Sequence, residues 1–223
     1  MQLTLHHLPN SRSQRIVWLL EELNLNYDLV IASAIQSSKA THKYPLLELQ
    51  LEQHRLSLTE TSAIAEYLCQ LHQKLIIPIE HPSYWDYCFY RHWADASFMA
   101  NVALKQVFQH IKLNTPFVIK FVSWAMQVGF NKSYLNPELK QQLHQLNTHL
   151  EQHTWIVGNQ FSYADILIWF PLQACQYAHP DFEQYQALKW YLQQLQHRPA
   201  FMQASLRGEW SNEVFEQYWQ VTQ

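Results

Sequence analysis

Four consecutive polar residues follow the first strand-like segment of the chain: Asn10, Ser11, Arg12 and Ser13. Their amide, hydroxyl and guanidinium groups can donate hydrogen bonds to an anion, and the beginning of a helix attracts negative charge. The same residue types are also common helix N-caps, so the pattern leaves anion binding and capping open as two roles. A second polar turn, Glu60-Thr61-Ser62, precedes another helical pattern and leaves the same two roles open.

Other sets of reactive residues are weaker candidates. His149 and His153 stand four residues apart on an expected helix, but no His-Glu-x-x-His sequence or third nearby ligand accompanies them. The three cysteines, Cys69, Cys88 and Cys175, are far apart and form no Cys-x-x-Cys pair. We therefore expect surface histidines, no bound metal, and cysteines that pack as small apolar side chains.

The composition limits the classes of function. Of 223 residues, 48% are hydrophobic and 15% charged, with a formal net charge of −3, which is typical of a globular protein. The balance of 15 basic against 18 acidic residues argues against binding to nucleic acid or to an anionic membrane. Only three glycines occur, all in the second half, which excludes a glycine-rich loop that cradles phosphate.

No segment of the sequence indicates export or membrane insertion. No apolar stretch reaches the roughly 18 residues that a spanning helix needs. The first residues lack the charged-then-apolar order of a secretion signal. Because the cysteines also give no disulfide framework, we expect a cytoplasmic protein.

The first part of the chain has the pattern of a small α/β unit. Alternation over residues 2–6 predicts a strand, and apolar residues three and four apart predict a helix from Ser11 or Arg12 to Asn24. Residues 27–31 form a second predicted strand, which makes a parallel pair with the first. At most one short helix is expected between residues 32 and 44.

A hairpin and a helix complete this unit. Residues 47–52 and 55–59 alternate in polarity and predict two strands joined by a turn at Gln53-His54. The polar turn at Glu60 then begins a helix, and the unit ends near Lys74. Residues 75–82 contain two prolines and read as a linker.

The remainder of the chain is helical almost throughout. The predicted helices span approximately residues 83–111, 116–129, 137–152, 162–178 and 182–196. Ser162 and Asp165 have the spacing of a capping box, with Phe161 as the preceding hydrophobic residue. The helix that follows them is apolar nearly all round, so we expect it at the centre of the helical part.

Four motifs in this order resemble a cytosolic glutathione transferase over essentially the whole chain. The first is similar to a bacterial and fungal subgroup with Asn-Ser-Arg-x-x-Arg at this place, and the second matches the Glu-Ser/Thr turn of the family. The motifs are Asn10-Ser11-Arg12-Ser13-Gln14-Arg15, Thr59-Glu60-Thr61-Ser62, Gly158-x-x-x-Ser162-x-x-Asp165, and Leu188-Lys189-Trp190-Tyr191 followed by Arg198-Pro199-Ala200-Phe201.

The resemblance implies a thioredoxin-like α/β domain over residues 1–74 that binds glutathione. It also implies a linker at 75–82 and an all-α domain at 83–223 with the pocket for a second substrate. The implied reaction is conjugation of the glutathione thiolate to small hydrophobic electrophiles by a cytoplasmic homodimer that serves detoxification. The implied co-substrate is glutathione, and no metal, nucleic-acid partner or membrane partner is expected.

The resemblance assigns thiolate stabilisation to the first polar turn. A free cysteinyl thiol has a pKa of roughly 8.5, and lowering it by about two units needs roughly 2.7 kcal/mol. A hydroxyl hydrogen bond and a helix N-terminus can supply that energy. Ser11, with Arg12 beside it, is the first choice for this role, and Asn10 and Ser13 remain alternatives.

The second polar turn is implied to hold the γ-glutamyl end of glutathione, with Thr61 on the carboxylate and Glu60 on the ammonium group. The family also has a cis-proline just before the third strand, and this position is expected at Leu49 or Gln50. We therefore expect an altered backbone contact with glutathione around Leu49, Gln50 and Leu51. Leu47-Glu48 stands where a lysine is usual, so a cation is expected to be missing.

An aromatic-rich helix and its successor are implied to form the pocket for the electrophile. The expected lining residues are Trp93, Phe98, Met99 and Trp124, although core packing is an equal alternative for each. Two other functions stay open. One is a non-catalytic, dimeric binding module of the same fold, which the missing proline favours, and the other is a glutathione-dependent peroxidase or reductase.

Overall fold

The computed structural model of the protein describes residues 2–33, 43–51 and 54–220. Within these residues, four strands form one mixed sheet in the order β2-β1-β3-β4. β1 pairs in parallel with β2 and antiparallel with β3, which in turn pairs antiparallel with β4. The strands are β1 (Gln2–His7), β2 (Asp28–Ile31), β3 (Leu46–Gln50) and β4 (Arg55–Thr59).

Two described helices accompany the sheet, α1 (Gln14–Glu22) and α2 (Thr61–His72). The inward faces of β1 and β3 meet through Leu3 opposite Leu49 and Leu5 opposite Leu47, and all four side chains are buried. The short helix considered between residues 32 and 44 and the turn at Gln53 fall mainly or wholly outside the described residues. The sheet and its helices confirm the thioredoxin-like fold class of this part.

The second part of the described chain is helical. Two π-helical turns, Ala94–Phe98 and Asn131–Leu135, and two 3-10 turns, Phe117–Ile119 and Phe182–Gln184, interrupt the α-helices. The helices are α3 (Tyr84–Trp93), α4 (Met99–Asn114), α5 (Lys120–Phe130), α6 (Asn136–Leu150), α7 (Tyr163–Ala178), α8 (Gln186–Gln196), α9 (Pro199–Arg207) and α10 (Asn212–Trp219). No helix in the described part is both long and apolar enough to cross a membrane.

Helix α7 lies at the centre of the helical part, as its sequence predicts. Its N-terminus carries the expected capping box, in which Ser162 N–H donates to Asp165 Oδ2 at 2.8 Å. Asp165 also accepts from Ile156 N–H and from Tyr191 Oη–H at 2.9 and 2.7 Å. Burial raises the pKa of Asp165 to about 6, although the hydrogen bonds oppose that rise.

Buried polar and aromatic contacts join the two parts of the molecule. The Arg15 guanidinium of α1 donates from Nη1 to Asp95 Oδ1 at 2.9 Å and to the Leu167 carbonyl of α7 at 2.8 Å. Trp18 of α1 meets Trp169 and Phe201 edge to face, at centroid distances of 5.8 and 5.0 Å. These contacts position the sheet against the helices.

Candidate active site

Two cavities meet at the turn between β1 and α1. The first, which we call the polar cavity, measures about 780 Å³ and is lined by Arg12, Lys43, Pro45, Glu60, Thr61 and Asp95 among others. The second, the apolar cavity, measures about 1070 Å³ and is lined by Met99, Ala103, Phe170, Val214 and Trp219 among others. Ser11 and Arg12 line both cavities. Both volumes are close to the roughly 300–1,000 Å³ of small-molecule sites.

The Ser11 hydroxyl makes a cap-like hydrogen bond and also lines both cavities. Its Oγ accepts a hydrogen bond from Ser13 N–H at 3.2 Å, which satisfies one of the backbone donors ahead of α1. The same Oγ lies 2.8 Å from Ser13 Oγ. Ser11 therefore closes the turn and is a wall of both cavities.

Ser13 lies behind Ser11 and is fully buried. Its Oγ accepts from Leu8 N–H at 3.1 Å and lies 2.7 Å from His7 Nδ1. Ser13 lines neither cavity. The alternative prediction that Ser13 contacts the bound thiol is therefore wrong. The reason is that the turn directs this side chain toward β1.

The hydrogen-bond donors among Ser11, Ser13 and His7 can be assigned by starting from His7. His7 Nε2 is 2.8 Å from the Gly208 carbonyl oxygen, which can only accept, so Nε2 carries the proton. The single proton of the Ser13 hydroxyl then has two acceptors, His7 Nδ1 at 2.7 Å and the Leu8 carbonyl oxygen at 3.1 Å. Burial lowers the pKa of His7 to about 4, so the imidazole is neutral at pH 7 and keeps this tautomer. Ser13 has no second proton to give, and the Ser11 hydroxyl is the donor between the two serines.

Asn10 has a structural contact of its own. Its backbone has a φ of 56°, a left-handed conformation that asparagine tolerates better than most residues. Its Oδ1 accepts from Ser211 N–H at 2.8 Å, which attaches the segment before α10 to this turn. Asn10 lines the apolar cavity, whereas Ser11 lines both.

Glu60 and Thr61 stand on the wall of the polar cavity, as Ser11 does. Thr61 is the buried first residue of α2, a helix whose N-terminal N–H groups favour an anion. Glu60 is exposed and has φ 66° and ψ 119°, a conformation that costs a non-glycine residue of order 1–3 kcal/mol. An acidic residue held in such a conformation beside a cavity is typical of a functional site.

The expectation that no proline precedes the third strand is wrong. β3 begins at Leu46, and the Tyr44–Pro45 peptide bond immediately before it is cis. Lys43, Tyr44 and Pro45 all line the polar cavity. The sequence predicted that no cation would lie before this strand, but Lys43 does. The alternation of Leu47, Leu49 and Leu51 defines the strand but not which end borders the site. A proline is tolerated at the beginning of a strand, where no ladder hydrogen bond from its nitrogen is needed, and Pro45 directly before the leucine alternation was the available signal.

Leu49, Gln50 and Leu51 are not brought to either cavity, which corrects their expected role. Leu49 is fully buried in the core. Gln50 pairs with Gln2 at the far end of β1, and Leu51 N–H donates to the His54 carbonyl within the hairpin. Pairing with β1 places the beginning of β3, not its end, beside the first polar turn.

The expected acceptor pocket is only partly observed. Met99 lines the apolar cavity, but Phe98 is buried in the core, where it stacks on Trp93 at a centroid distance of 4.9 Å. Trp124 is half exposed and lines a separate cavity beside Asn136. The prediction that the acceptor pocket is lined by Trp93, Phe98 and Trp124 is therefore wrong. The π-helical turn over residues 94–98 shifts the helical register, which simple periodicity does not anticipate.

Several lining residues of the apolar cavity were not anticipated from the sequence. They come from α4, α7 and α10 and include Gln106, His110, Phe170, Val214, Tyr218 and Trp219. The concentration of aromatic residues near the end of the sequence was the feature from which this wall of the cavity could be predicted. Their position over the first polar turn depends on long-range packing, because Asn10 holds the segment before α10.

The remaining reactive residues make structural contacts. His149 and His153 stack at 4.4 Å, and His149 Nε2 lies 3.0 Å from the Ile156 carbonyl oxygen. In the described ranges, no three histidine, cysteine or acidic residues are grouped to hold a metal ion. Cys69 and Cys175 are fully buried, and burial raises the pKa of both thiols, for Cys175 to about 12.

A thioredoxin-like sheet, a helical part built around a capped central helix, and cavities at their junction define the glutathione transferase fold. Residues 5–75 match the glutathione S-transferase N-terminal domain, and residues 115–199 match the glutathione S-transferase C-terminal domain. The chain belongs to the cytosolic glutathione S-transferase family.

Individual relatives agree with this assignment. Glutathione S-transferase 3 of Schizosaccharomyces pombe is 28% identical over 204 residues, which cover 89% of this chain and 84% of that protein. Glutathione S-transferase 1 of Saccharomyces cerevisiae is 26% identical, with 83% and 86% covered. A crystal structure of a glutathione S-transferase from Actinobacillus pleuropneumoniae is similar with a TM-score of 0.75 at 26% identity, covering 98% of this chain and 100% of that one.

Proposed function

We propose that the protein is a glutathione S-transferase that joins the thiolate of glutathione to small apolar electrophiles. The observation that carries this proposal is the position of the Ser11 hydroxyl at the junction of a charged and an apolar cavity. A reaction between a charged peptide thiol and an apolar carbon is accelerated when adjacent compartments hold the two reactants in contact. The thiol proton would pass to solvent and the thiolate sulfur would bond to carbon at that junction, while a halide ion leaves an aromatic halide or the carbon–oxygen bond of an epoxide opens.

The polar cavity offers a complement to each charged end of glutathione. The first turn of α2, beginning at Thr61, suits the γ-glutamyl carboxylate, and Glu60 suits the ammonium group beside it. Lys43 suits the glycyl carboxylate. Glutathione is bound in a neighbouring structure from Pseudomonas fluorescens, which has a TM-score of 0.71 at 17% identity over 91% of this chain and 92% of that one.

Ser11 is proposed to stabilise the thiolate. To donate to sulfur, its hydroxyl turns from Ser13 toward the cavity, and the Ser13 N–H bond to Ser11 Oγ can remain. The N-terminus of α1 adds a favourable potential. His7 and Ser13 act as positioning residues, since their fixed hydrogen bonds hold the oxygen of Ser11 at the edge of both cavities.

The apolar cavity is proposed to take the electrophile, with Met99, Phe170 and Trp219 as its apolar walls. We further propose the division into residues 1–74, 75–82 and 83–223, a homodimer, and a cytoplasmic role in detoxification. The non-catalytic alternative depended on the absence of a proline before the third strand, and Pro45 occupies that position. A cysteine-based reductase is disfavoured because residues 9–13 contain no cysteine.

Thermal unfolding with glutathione tests the binding half of this proposal. At one hundred times its dissociation constant, a ligand adds roughly 2.7 kcal/mol to the unfolding free energy. We expect such an increase with glutathione and a much smaller one with cysteinylglycine, which lacks the γ-glutamyl group. Absence of any increase with glutathione would contradict the proposal.

Conjugation of an aromatic halide, followed by absorbance, tests the catalytic half. We expect turnover that depends on both substrates. Stabilisation by glutathione without turnover on a panel of halides, epoxides and enones would favour the binding module. Turnover of a hydroperoxide alone would favour the peroxidase.

A further inference from the structure

Helix α5 presents its polar residues to the protein and its apolar residues to solvent. Ser123 and Gln127 are its buried positions, and Gln127 Nε2 donates to Gln109 Oε1 of α4 at 2.8 Å. The outward side carries Phe121, Val122, Trp124 and Met126, which are 69%, 45%, 51% and 59% exposed. This is the reverse of the amphipathic pattern of a surface helix.

The neighbouring part of α4 repeats the inversion. Lys105, Gln106 and Gln109 are buried on its inner side, whereas Val107, Ile111 and Leu113 are about half exposed. The connection between the two helices is more exposed still, with Phe117 at 92% and Val118 at 81%. The apolar side chains therefore cover the end of a helical hairpin and project from it.

We call the exposed side chains on residues 111–128 the apolar tip. Aromatic side chains can bury about 150–250 Å² each, so the three aromatics of the tip alone expose several hundred Å². Monomeric proteins rarely expose contiguous apolar patches beyond about 300–600 Å². The tip consists of Ile111, Leu113, Phe117, Val118, Ile119, Phe121, Val122, Trp124, Met126 and Val128.

The charged residues in the sequence of the tip and its flanks are all positive. From residue 96 to residue 137 the sequence contains no aspartate or glutamate, although the whole chain has a net charge of −3. Lys112, Lys120 and Lys132 lie in this stretch, next to the apolar side chains or within one turn of them. Two copies that met through this surface would bring like charges together, whereas an anionic surface would be attracted.

We propose that the apolar tip docks on an anionic lipid surface. Phe117, Phe121 and Trp124 enter the interface between headgroups and acyl chains, and Lys120 and Lys132 contact lipid phosphates. Exposed aromatic residues beside lysines are the composition of segments that lie in this interface, to a depth of roughly 5–10 Å. The expectation of no membrane partner came from the charge of the whole chain, whereas docking depends on this local surface.

Flotation with lipid vesicles tests the proposal on the full chain. One set of vesicles consists of phosphatidylcholine alone, and the other contains about one third phosphatidylserine. We expect the protein to float with the anionic vesicles and less with the neutral ones, and we expect flotation with the anionic vesicles to decrease as salt is raised. Failure to float with the anionic vesicles at low salt would overturn the proposal.

Variants distinguish docking through the apolar tip from nonspecific adsorption to the vesicles. Phe117→Ser combined with Phe121→Ser should lower partitioning at least about tenfold. Lys120→Gln combined with Lys132→Gln should lower it about tenfold on anionic vesicles only. Trp190→Ser is the matched control, because Trp190 is 71% exposed on α8, outside the tip, and its loss should change little. An equal effect of Trp190→Ser would overturn the proposal.

Two further measurements complete the test. The unfolding temperature of the phenylalanine variant should equal that of the parent chain, since both side chains are exposed. Gel filtration tests whether a second copy of the chain covers the tip instead. If the parent chain is a dimer that does not float, and the phenylalanine variant is a monomer, the tip is a contact between copies and the lipid proposal is wrong. Glutathione binding is measured in parallel, so failure of the lipid proposal is distinguishable from failure of the proposed transferase function.

Discussion

The polar cavity and the apolar cavity share Ser11 and Arg12 but differ in their other walls. The polar cavity takes Lys43, Glu60 and Thr61 from the segments before β3 and α2. The apolar cavity takes most of its walls from α4, α7 and α10. The polar walls therefore come largely from the sheet part and the apolar walls from the helical part, and the first polar turn lies where the two cavities meet.

The two cavities are also stabilised differently. The back of the polar cavity contains Arg15, only 1% exposed, whose charge is balanced by Asp95. The apolar cavity is bounded by packed helices, with Met99 and Trp219 nearly buried. Changes to the polar wall should therefore have the larger effects on stability, and changes to the apolar wall should act on the second substrate.

The largest effect is expected from Asp95→Ala. Removal of the carboxylate leaves the Arg15 guanidinium buried and without its charged partner, which should cost about 3 kcal/mol of unfolding free energy. Chemical denaturation measures the loss, and Asp86→Ala, an exposed acid on α3, is the control. Equal stability of the two variants would show that this charge pair does not hold the polar wall.

The second effect concerns His7 behind the shared turn. Its pKa is about 4 in the folded protein and roughly 6.5 when unfolded, so between these values the unfolded chain binds more protons. This contribution to stability is complete above pH 6.5 and decreases as the pH falls toward 4, by about 3 kcal/mol in all.

His7→Asn isolates this contribution. Denaturation of the parent chain and of the variant from pH 7.5 to pH 4 should show a stability difference that shrinks as the solution becomes acidic. The comparison is needed because burial also lowers the pKa of His179 to about 4. A difference independent of pH would mean that His7 is not buried as a neutral group.

Ser11→Ala should separate catalysis from binding at the junction. A hydrogen bond to a charged group contributes about 1.5–3 kcal/mol, so kcat/KM should fall about 10- to 100-fold while the Kd of glutathione changes little. Ser11→Thr keeps a hydroxyl and should retain most of the activity. Equal losses in binding and turnover would leave Ser11 with its capping role only.

Glu60→Gly should stabilise the fold but weaken the binding of glutathione. Glycine adopts φ 66° without strain, so the unfolding free energy should rise by about 1 kcal/mol. The Kd of glutathione should increase about fivefold to tenfold, because the partner of the ammonium group is lost. Glu60→Gln should weaken binding without stabilising the fold. Unchanged binding in both variants would remove Glu60 from the site.

The smallest effect is expected from Ala103→Trp, which fills part of the apolar cavity. The KM of the electrophile should rise a few-fold, while the Kd of glutathione stays constant, since Ala103 lines only the apolar cavity. Leu104→Trp, on the exposed side of the same helix, is the control. A similar increase in the Kd of glutathione would show that the two cavities do not work as separate compartments.

Local signals in the sequence were reliable where the structure depends on neighbouring residues. Ser162 and Asp165 form the predicted capping box, because its hydrogen bonds join atoms three residues apart. The strong apolar pattern after Asp165 placed α7 correctly at the centre. The first polar turn is also visible in the sequence, and in the structure its Ser11 makes a cap-like hydrogen bond and lines both cavities.

The errors concern residues whose position depends on distant parts of the chain. The sequence does not assign Pro45 to the site, because the leucine alternation of β3 does not define which end of the strand borders the first polar turn. Phe98 and Met99 are adjacent, yet one enters the core and the other the apolar cavity.

The amino-acid sequence by itself determined the order and type of most elements, the two polar turns and the capped central helix. These features follow from hydrogen bonds and burial patterns within a few residues. The tertiary structure decided that Ser11 and not Ser13 faces the cavities, that Lys43 and Pro45 replace Leu49 and Gln50 at the site, and that α10 closes the apolar side. Those outcomes depend on strand pairing and helix packing between segments far apart in the chain, which no local pattern encodes.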